Sequence, residues 1–155
     1  MAVGIDLGTS NSCISAVIDG RPQVILNEEG ETITPSVVAY TKAGKELLVG
    51  MAAKRQAVNN PENTFSSIKR FMGSRSTEVE EEVVQRLSYT IDLSENMVRV
   101  LCPAVGQLMS PKKISAIVLK KLTQEASAYL GRPVKKAVIT LPVDVDSWGR
   151  SACYP

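Results

Sequence analysis

An α/β fold with a mixed sheet is the class this sequence predicts, and three observations carry it. The chain opens with an apolar run over residues 3–8 that meets a second, alternating and β-branched run over 13–19 across a tip of small residues. A period of two marks strands and not a helix. One long amphipathic segment, residues 111–130, carries apolar side chains at helical spacing. Directly after it, residues 137–141 form an apolar run of strand length, which reads as a buried central strand.

The elements follow in order. After the first two strands, Asp19-Gly20 signals a tight hairpin turn into a third strand over 23–27. Residues 28–35 are polar, and Pro35 marks the loop that leads to a strand over 36–40. Lys42, Ala43, Gly44 and Lys45 turn the chain before a short strand over 47–49. Residues 51–58 have helical character and stop at Asn59-Asn60-Pro61. A short turn-helix segment is expected over 63–73, and a charged helix over 78–86 with Val79, Val83 and Leu87 on one side. Strands over 88–92 and 97–102 flank the turn Ser94-Glu95-Asn96.

For the long helix, Ser110 is placed to cap and Pro111 fits the first helical position. Ile114, Ile117, Val118, Leu122, Ala126, Tyr129 and Leu130 form its apolar stripe, and Gly131 and Pro133 stop it.

Composition narrows the chemistry. With 44% apolar and 22% charged residues, the 155-residue chain has ordinary globular content and is long enough to bury a moderate core. Net charge is +2 and the lysines come in scattered pairs, so no nucleic-acid arm is expected. There is no histidine, which excludes His-activated nucleophiles and His-bearing metal sites. Cys13, Cys102 and Cys153 are odd in number and far apart, which fits a reduced compartment better than a disulfide framework. No run has the length of a membrane span, and no secretory or transit segment is recognisable.

The N-terminal hairpin is the candidate for chemistry. Asp6 ends the first strand, and Gly8, Thr9, Ser10 and Asn11 make the tip. A glycine lets backbone approach a ligand, turn amides and hydroxyls donate to phosphate oxygens, and a carboxylate holds magnesium through water. A Walker loop needs Gly-Lys-Ser/Thr running into a helix, and that string is absent. Taken alone, the same residues also suit a plain glycine turn, with Asp6 bonding locally.

VGIDLGTSNSCISAVIDG resembles the first phosphate hairpin of the DnaK-type chaperones, the heat shock protein 70 family, ATPases that share the actin fold. ITPSVVAYT, LVGMAAKRQAVNNPENTFSSIKRFMG, ISAIVLKKLTQEASAYLG and VKKAVITLP are similar to the same family in the same order, so the resemblance covers nearly everything from Val3 to Pro142. SVVAYTK and NPENTF are worded most like its cyanobacterial and plastid branch.

The resemblance implies the first lobe of an actin-like (ribonuclease-H-like) ATPase domain over residues 1–142, incomplete, with a divergent tail over 143–155. It implies ATP or ADP with Mg2+ as ligands. Asp6 would meet the magnesium or its waters, and Gly8, Thr9, Ser10 and Asn11 would bind the β- and γ-phosphates. The family usually carries threonine where Ser10 stands, and the hydroxyl survives the exchange. Lys69, on composition a surface lysine, would reach the γ-phosphate and serve hydrolysis. Pro142 would link nucleotide state to a peptide-binding domain, with Arg150 in the same relay by count alone.

Partners implied are client polypeptides, a J-domain co-chaperone and a nucleotide exchange factor, with no nucleic acid and no membrane. The location implied is cytoplasm or plastid stroma. After Pro142 the wording departs from the family and then stops. A truncated ATP-binding part of a chaperone, not competent for hydrolysis alone, is therefore one expectation. A non-catalytic decoy for co-chaperones is the alternative. A sugar kinase of the same fold is disfavoured by the blocks around residues 48–73.

Overall fold

A computed structural model describes residues 2–140. β1 (Ala2–Leu7) and β2 (Asn11–Ile18) form the expected antiparallel hairpin, with Leu7 opposite Ser12. Val3, Ile5 and Leu7 point into the core from β1, and Ser12, Ile14 and Ala16 from β2. This alternation is what the period-two pattern demands of a half-covered sheet. The Asp19-Gly20 turn has φ of 51° and 76°, both positive as a tight hairpin requires, and leads into β3 (Arg21–Val24). β3 starts and ends earlier than expected, because the two-residue turn sets its register against β2, with Ile18 opposite Arg21.

β4 (Thr34–Pro35) adds to the tip end of β2, with Asn11 opposite Pro35. β5 (Val38–Tyr40) pairs with β6 (Leu47–Val49) and with β7 (Thr64–Phe65) in a second, antiparallel sheet. α1 (Met51–Arg55) is shorter than the expected helix, and a 3₁₀ turn over Ala57–Asn59 continues it. The expected turn-helix over 63–73 resolves into β7 and a 3₁₀ turn over Ile68–Phe71. The charged segment gives only α2 (Glu81–Gln85), but Val79, Val83 and Leu87 do pack on the core. β8 (Ile91–Asp92), β9 (Arg99–Cys102) and β10 (Gln107–Met109) form a third sheet, a meander. β10 has no counterpart among the sequence expectations.

α3 (Pro111–Tyr129) behaves as its caps dictate. The Lys113 amide donates to Ser110 Oγ at 3.1 Å, and Pro111 occupies the first turn. At the other end Gly131 (φ 63°) and Arg132 donate to the Ala128 and Ser127 carbonyls, both at 3.2 Å. That pair of bonds is a Schellman closure, which needs a left-handed residue where Gly131 stands. Ile114, Val118, Leu122 and Ala126 are buried along one face. Tyr129 departs from the expected stripe and is 52% exposed, whereas its neighbour Leu130 packs against the core.

β11 (Lys136–Ile139) pairs parallel to β1, in the sheet order β11-β1-β2-β3. The long crossover through the intervening elements, ending in α3, provides the connection that parallel pairing requires. The buried-strand expectation for 137–141 is corrected here. Among the described residues β11 is the sheet edge, and Val138 is 71% exposed. An apolar run reports the burial a strand is suited to, and only neighbouring chain decides whether it is covered. The sheet mixes parallel and antiparallel pairs and carries helix on it, as expected of the α/β class and of an actin-like first lobe.

One polar network joins the second sheet to the meander. Asn63 Nδ2 donates to Asn60 Oδ1, and the Ala104 amide donates to Asn63 Oδ1, each at 2.7 Å. Asn60 Nδ2 donates to the Tyr40 carbonyl at 2.7 Å and to Gln56 Oε1 at 2.8 Å. Asn60, Asn63 and Thr64 are all buried. The NNPENTF string thus has a structural reason. Asn63→Ala strands the buried Asn60 acceptor and the half-buried Ala104 amide, so a loss of about 2 kcal/mol is expected in urea unfolding, with the m-value unchanged.

Candidate functional site

The tip of the β1–β2 hairpin is built by close backbone approach. A Cβ at Gly8 would lie 2.0 Å from the Asn11 carbonyl oxygen, so only glycine fits this turn. Thr9 is half-buried, and Ser10 and Asn11 are exposed. Two contacts from distant sequence then clamp the tip. Ser36 Oγ donates to the Gly8 carbonyl at 2.8 Å, and the Ser36 amide donates to the Ser10 carbonyl at 2.9 Å. Because the single Ser36 hydroxyl proton is spent on Gly8, buried Ser12 donates to Ser36 Oγ, at 2.8 Å.

Lys69 arrives from the third direction. Its Nζ donates to the Leu7 carbonyl at 2.5 Å, across 62 positions of sequence. The 3₁₀ turn over Ile68–Phe71 aims it. Ile68 and Phe71 are buried on the core side, which turns Lys69 toward the hairpin. Ser67, just before, sits in the left-handed region at φ 55°. Its neighbour Ser66 is held there by the Tyr89 hydroxyl, which donates to the Ser66 carbonyl at 2.7 Å. Burial pushes the Tyr89 phenol well up, against a smaller opposing pull from Arg70, so it remains a donor at all ordinary pH. A non-glycine left-handed residue is a conformation that surrounding structure must hold in place.

Asp6 is exposed at the same end of β1, opposite Cys13. Thr140, just past β11, donates from its hydroxyl to Asp6 Oδ1 at 2.8 Å, and its amide donates to the Ile5 carbonyl at 2.9 Å. One carboxylate oxygen is thereby oriented and the group stays open to solvent. A single exposed carboxylate suits magnesium, which keeps several waters and takes one or two protein carboxylates beside phosphate oxygens. The residues present therefore fit the expected ion at Asp6.

The structure thus gathers Asp6, Gly8, Thr9, Ser10, Asn11 and Lys69 at one end of the sheet. A small void of about 10 Å³ lies behind them, lined by Gly8, Thr9, Ser36, Lys69 and Ser115. Pro142 and Arg150 fall outside the described residues. Ser36 and Thr140 are the positioning residues that sequence reading missed. Each lies within a block quoted above, but no spacing signals a serine 28 positions from Gly8 or a threonine 134 positions from Asp6.

Comparison with known proteins shows what the chain is similar to. The family profile described as Hsp70 protein matches residues 2–153. The chain is 50% identical over 150 residues to "Chaperone protein dnaK" of Emiliania huxleyi, covering 97% of this chain and 24% of that protein. It is 52% identical over 151 residues to "Heat shock 70 kDa protein 7, chloroplastic" of Arabidopsis thaliana, covering 97% and 21%. Against "Chaperone protein DnaK" of Prochlorococcus marinus identity is 51% over 150 residues, covering 97% and 23%. The chain spans about a quarter of the length of these curated relatives. No helix among the described residues is long and apolar enough to cross a membrane. With a profile match across almost its whole length and half its residues identical to the relatives, this chain belongs to the Hsp70 family.

Proposed function

We propose that the chain supplies the phosphate- and magnesium-holding half of an ATP site in a chaperone whose peptide binding is controlled by nucleotide. The observation that carries this reading is Lys69, brought 62 positions along the chain to donate to the Leu7 carbonyl at the root of the glycine tip. An ammonium beside a tight, hydroxyl-rich turn and an exposed carboxylate is a complementary set for a magnesium-bound polyphosphate.

In this reading the tip amides and the Thr9 and Ser10 hydroxyls orient the β- and γ-phosphates. Asp6, steered by Thr140, would hold a magnesium ion through its waters, and the ion would supply charge neutralisation at the phosphates. Lys69 exchanges its Leu7 contact for a γ-phosphate oxygen, where its charge offsets what develops in the transition state. Residues 1–142 form the lobe, and 143–155 lie beyond it. Pro142 and Arg150 would carry nucleotide state toward a peptide-binding domain, whose clients, J-domain co-chaperone and exchange factor belong to the whole protein. The relatives include chloroplastic and bacterial-type members, and a stromal or cytoplasmic location follows from them by analogy.

Hydrolysis asks for donors on both sides of the transferred group, so the half-site is expected to bind and not to turn over. The test is calorimetry of magnesium-ATP on the purified chain. Binding at micromolar strength, about −8 kcal/mol, that is lost in Asp6→Asn and weakened in Lys69→Ala supports the reading. Absence of binding by a folded chain overturns it and favours the decoy reading.

A further inference from the structure

Outside the hairpin tip, three carboxylates gather beside one lysine, which pairs with two of them. Glu28 and Glu29 come from the loop between β3 and β4, and Glu125 from the last turns of α3. One carboxylate oxygen from each lies within 4.8 Å of the others. Lys121, one helical turn before Glu125, pairs with Glu28 Oε1 and with Glu125 Oε1, the latter at 3.3 Å. The Glu28 amide also donates to Glu125 Oε1, at 3.4 Å.

The ledger of charge and hydrogen bonds does not close. Three carboxylates face one ammonium, a local charge of −2. The Glu125 side chain is only 9% exposed, and its Oε2 is buried with no hydrogen-bond partner. Among the described residues Glu29 makes no ion pair. A buried carboxylate oxygen facing nothing is costly, and native structures normally supply it with a donor or a cation. The loop is also shaped to present the acids. Asn27 Oδ1 accepts from the Glu29 amide at 3.1 Å and the Glu31 amide at 2.8 Å, which folds Glu28 and Glu29 toward α3. An open groove of about 510 Å³, lined by Leu26, Asn27, Glu28, Lys121, Glu125 and Tyr129, gives access.

We propose that Glu28, Glu29 and Glu125 form a divalent-cation site that ties the β3–β4 loop to α3, with calcium the preferred ion. Oxygen-only ligands suit a hard cation. Three carboxylates on two separate elements suit the long, adaptable coordination of calcium better than the strict octahedron of magnesium. The charge of −2 matches a divalent ion. Lys121 is then the competitor that occupies the acids when the ion is scarce, shifting toward solvent when it binds. The consequence reaches the hairpin, because this loop runs directly into β4 and Ser36, whose hydroxyl and amide clamp Gly8 and Ser10. A cation here would steady the clamp without touching nucleotide.

Terbium, an oxygen-seeking ion of calcium's size, tests this on the full chain, since Tyr129 lines the groove and sensitises its luminescence. Saturable emission excited through tyrosine is expected. It is displaced by calcium, abolished in Glu29→Gln, and retained in Asp6→Asn. Tyr129→Phe loses the emission yet keeps a calcium-dependent rise in melting temperature, which Glu29→Gln lacks. Exposed Glu29 is chosen because its glutamine leaves folding intact. In Lys121→Gln, terbium binds more tightly than in the parent. Emission that calcium fails to displace, that survives Glu29→Gln, or that disappears in Asp6→Asn overturns the proposal.

Discussion

Phe65→Ala lowers the unfolding free energy by about 3–5 kcal/mol, the range for removing a large aromatic from a packed site. Phe65 is completely buried and, among the described residues, is the largest of the fully buried side chains. Its ring meets Tyr89 edge-on, with centroids 5.5 Å apart at 82°. On β7 it stands opposite Val38, so one side chain joins the second sheet to the segment that carries Lys69. The lost transfer energy and the cavity add, and loss of the ring contact removes support from Tyr89, which holds the Ser66 carbonyl. With total stabilities of about 5–15 kcal/mol, this single change consumes a large fraction of the total. Urea unfolding followed by circular dichroism reads it, as a lower midpoint. A shift below about 1 kcal/mol would mean the β7 junction repacks freely.

Gly8→Ala abolishes magnesium-ATP binding while leaving the chain folded. The added Cβ would lie 2.0 Å from the Asn11 carbonyl oxygen, a backbone atom that cannot swing aside as a flexible side chain would. The tip must open by more than an ångström. That displaces the Gly8 carbonyl from Ser36 and the Leu7 carbonyl from Lys69. Overpacking of this kind costs about 1–3 kcal/mol in stability. The larger effect falls on binding, since donors displaced by an ångström no longer converge on phosphate. Calorimetry and a thermal melt on the same sample separate the two effects. Unchanged binding in Gly8→Ala would remove the tip from the proposed site.

What could be read without the fold was local. The β1–β2 hairpin follows from period-two alternation and a small-residue tip, and the Asp19-Gly20 turn from residues that tolerate positive φ. α3 follows from Ser110 and Gly131, which let its end groups be satisfied, and from Pro111, which removes one end donor and presets the first turn. The family resemblance rested on ordered blocks of such local wording, and it named Asp6, the tip residues and Lys69 as candidates. Residues within a few positions of one another constrain each other's backbone directly, so their pattern survives in one dimension.

Tertiary structure alone decided the rest. No periodicity joins Lys69 to Leu7, Ser36 to Gly8, or Thr140 to Asp6, because these contacts pair a single side chain with a distant carbonyl or carboxylate and leave no repeat. β7 and β10, two and three residues long, exist through pairing to β5 and β9, and strands so short have no propensity signal of their own. β11 makes the same point in reverse. Its apolar wording announced burial, and its exposure was set by which chain lies beside it. Hydrophobic pattern states what a segment would gain by being covered, and only the packing of the whole says what covers it.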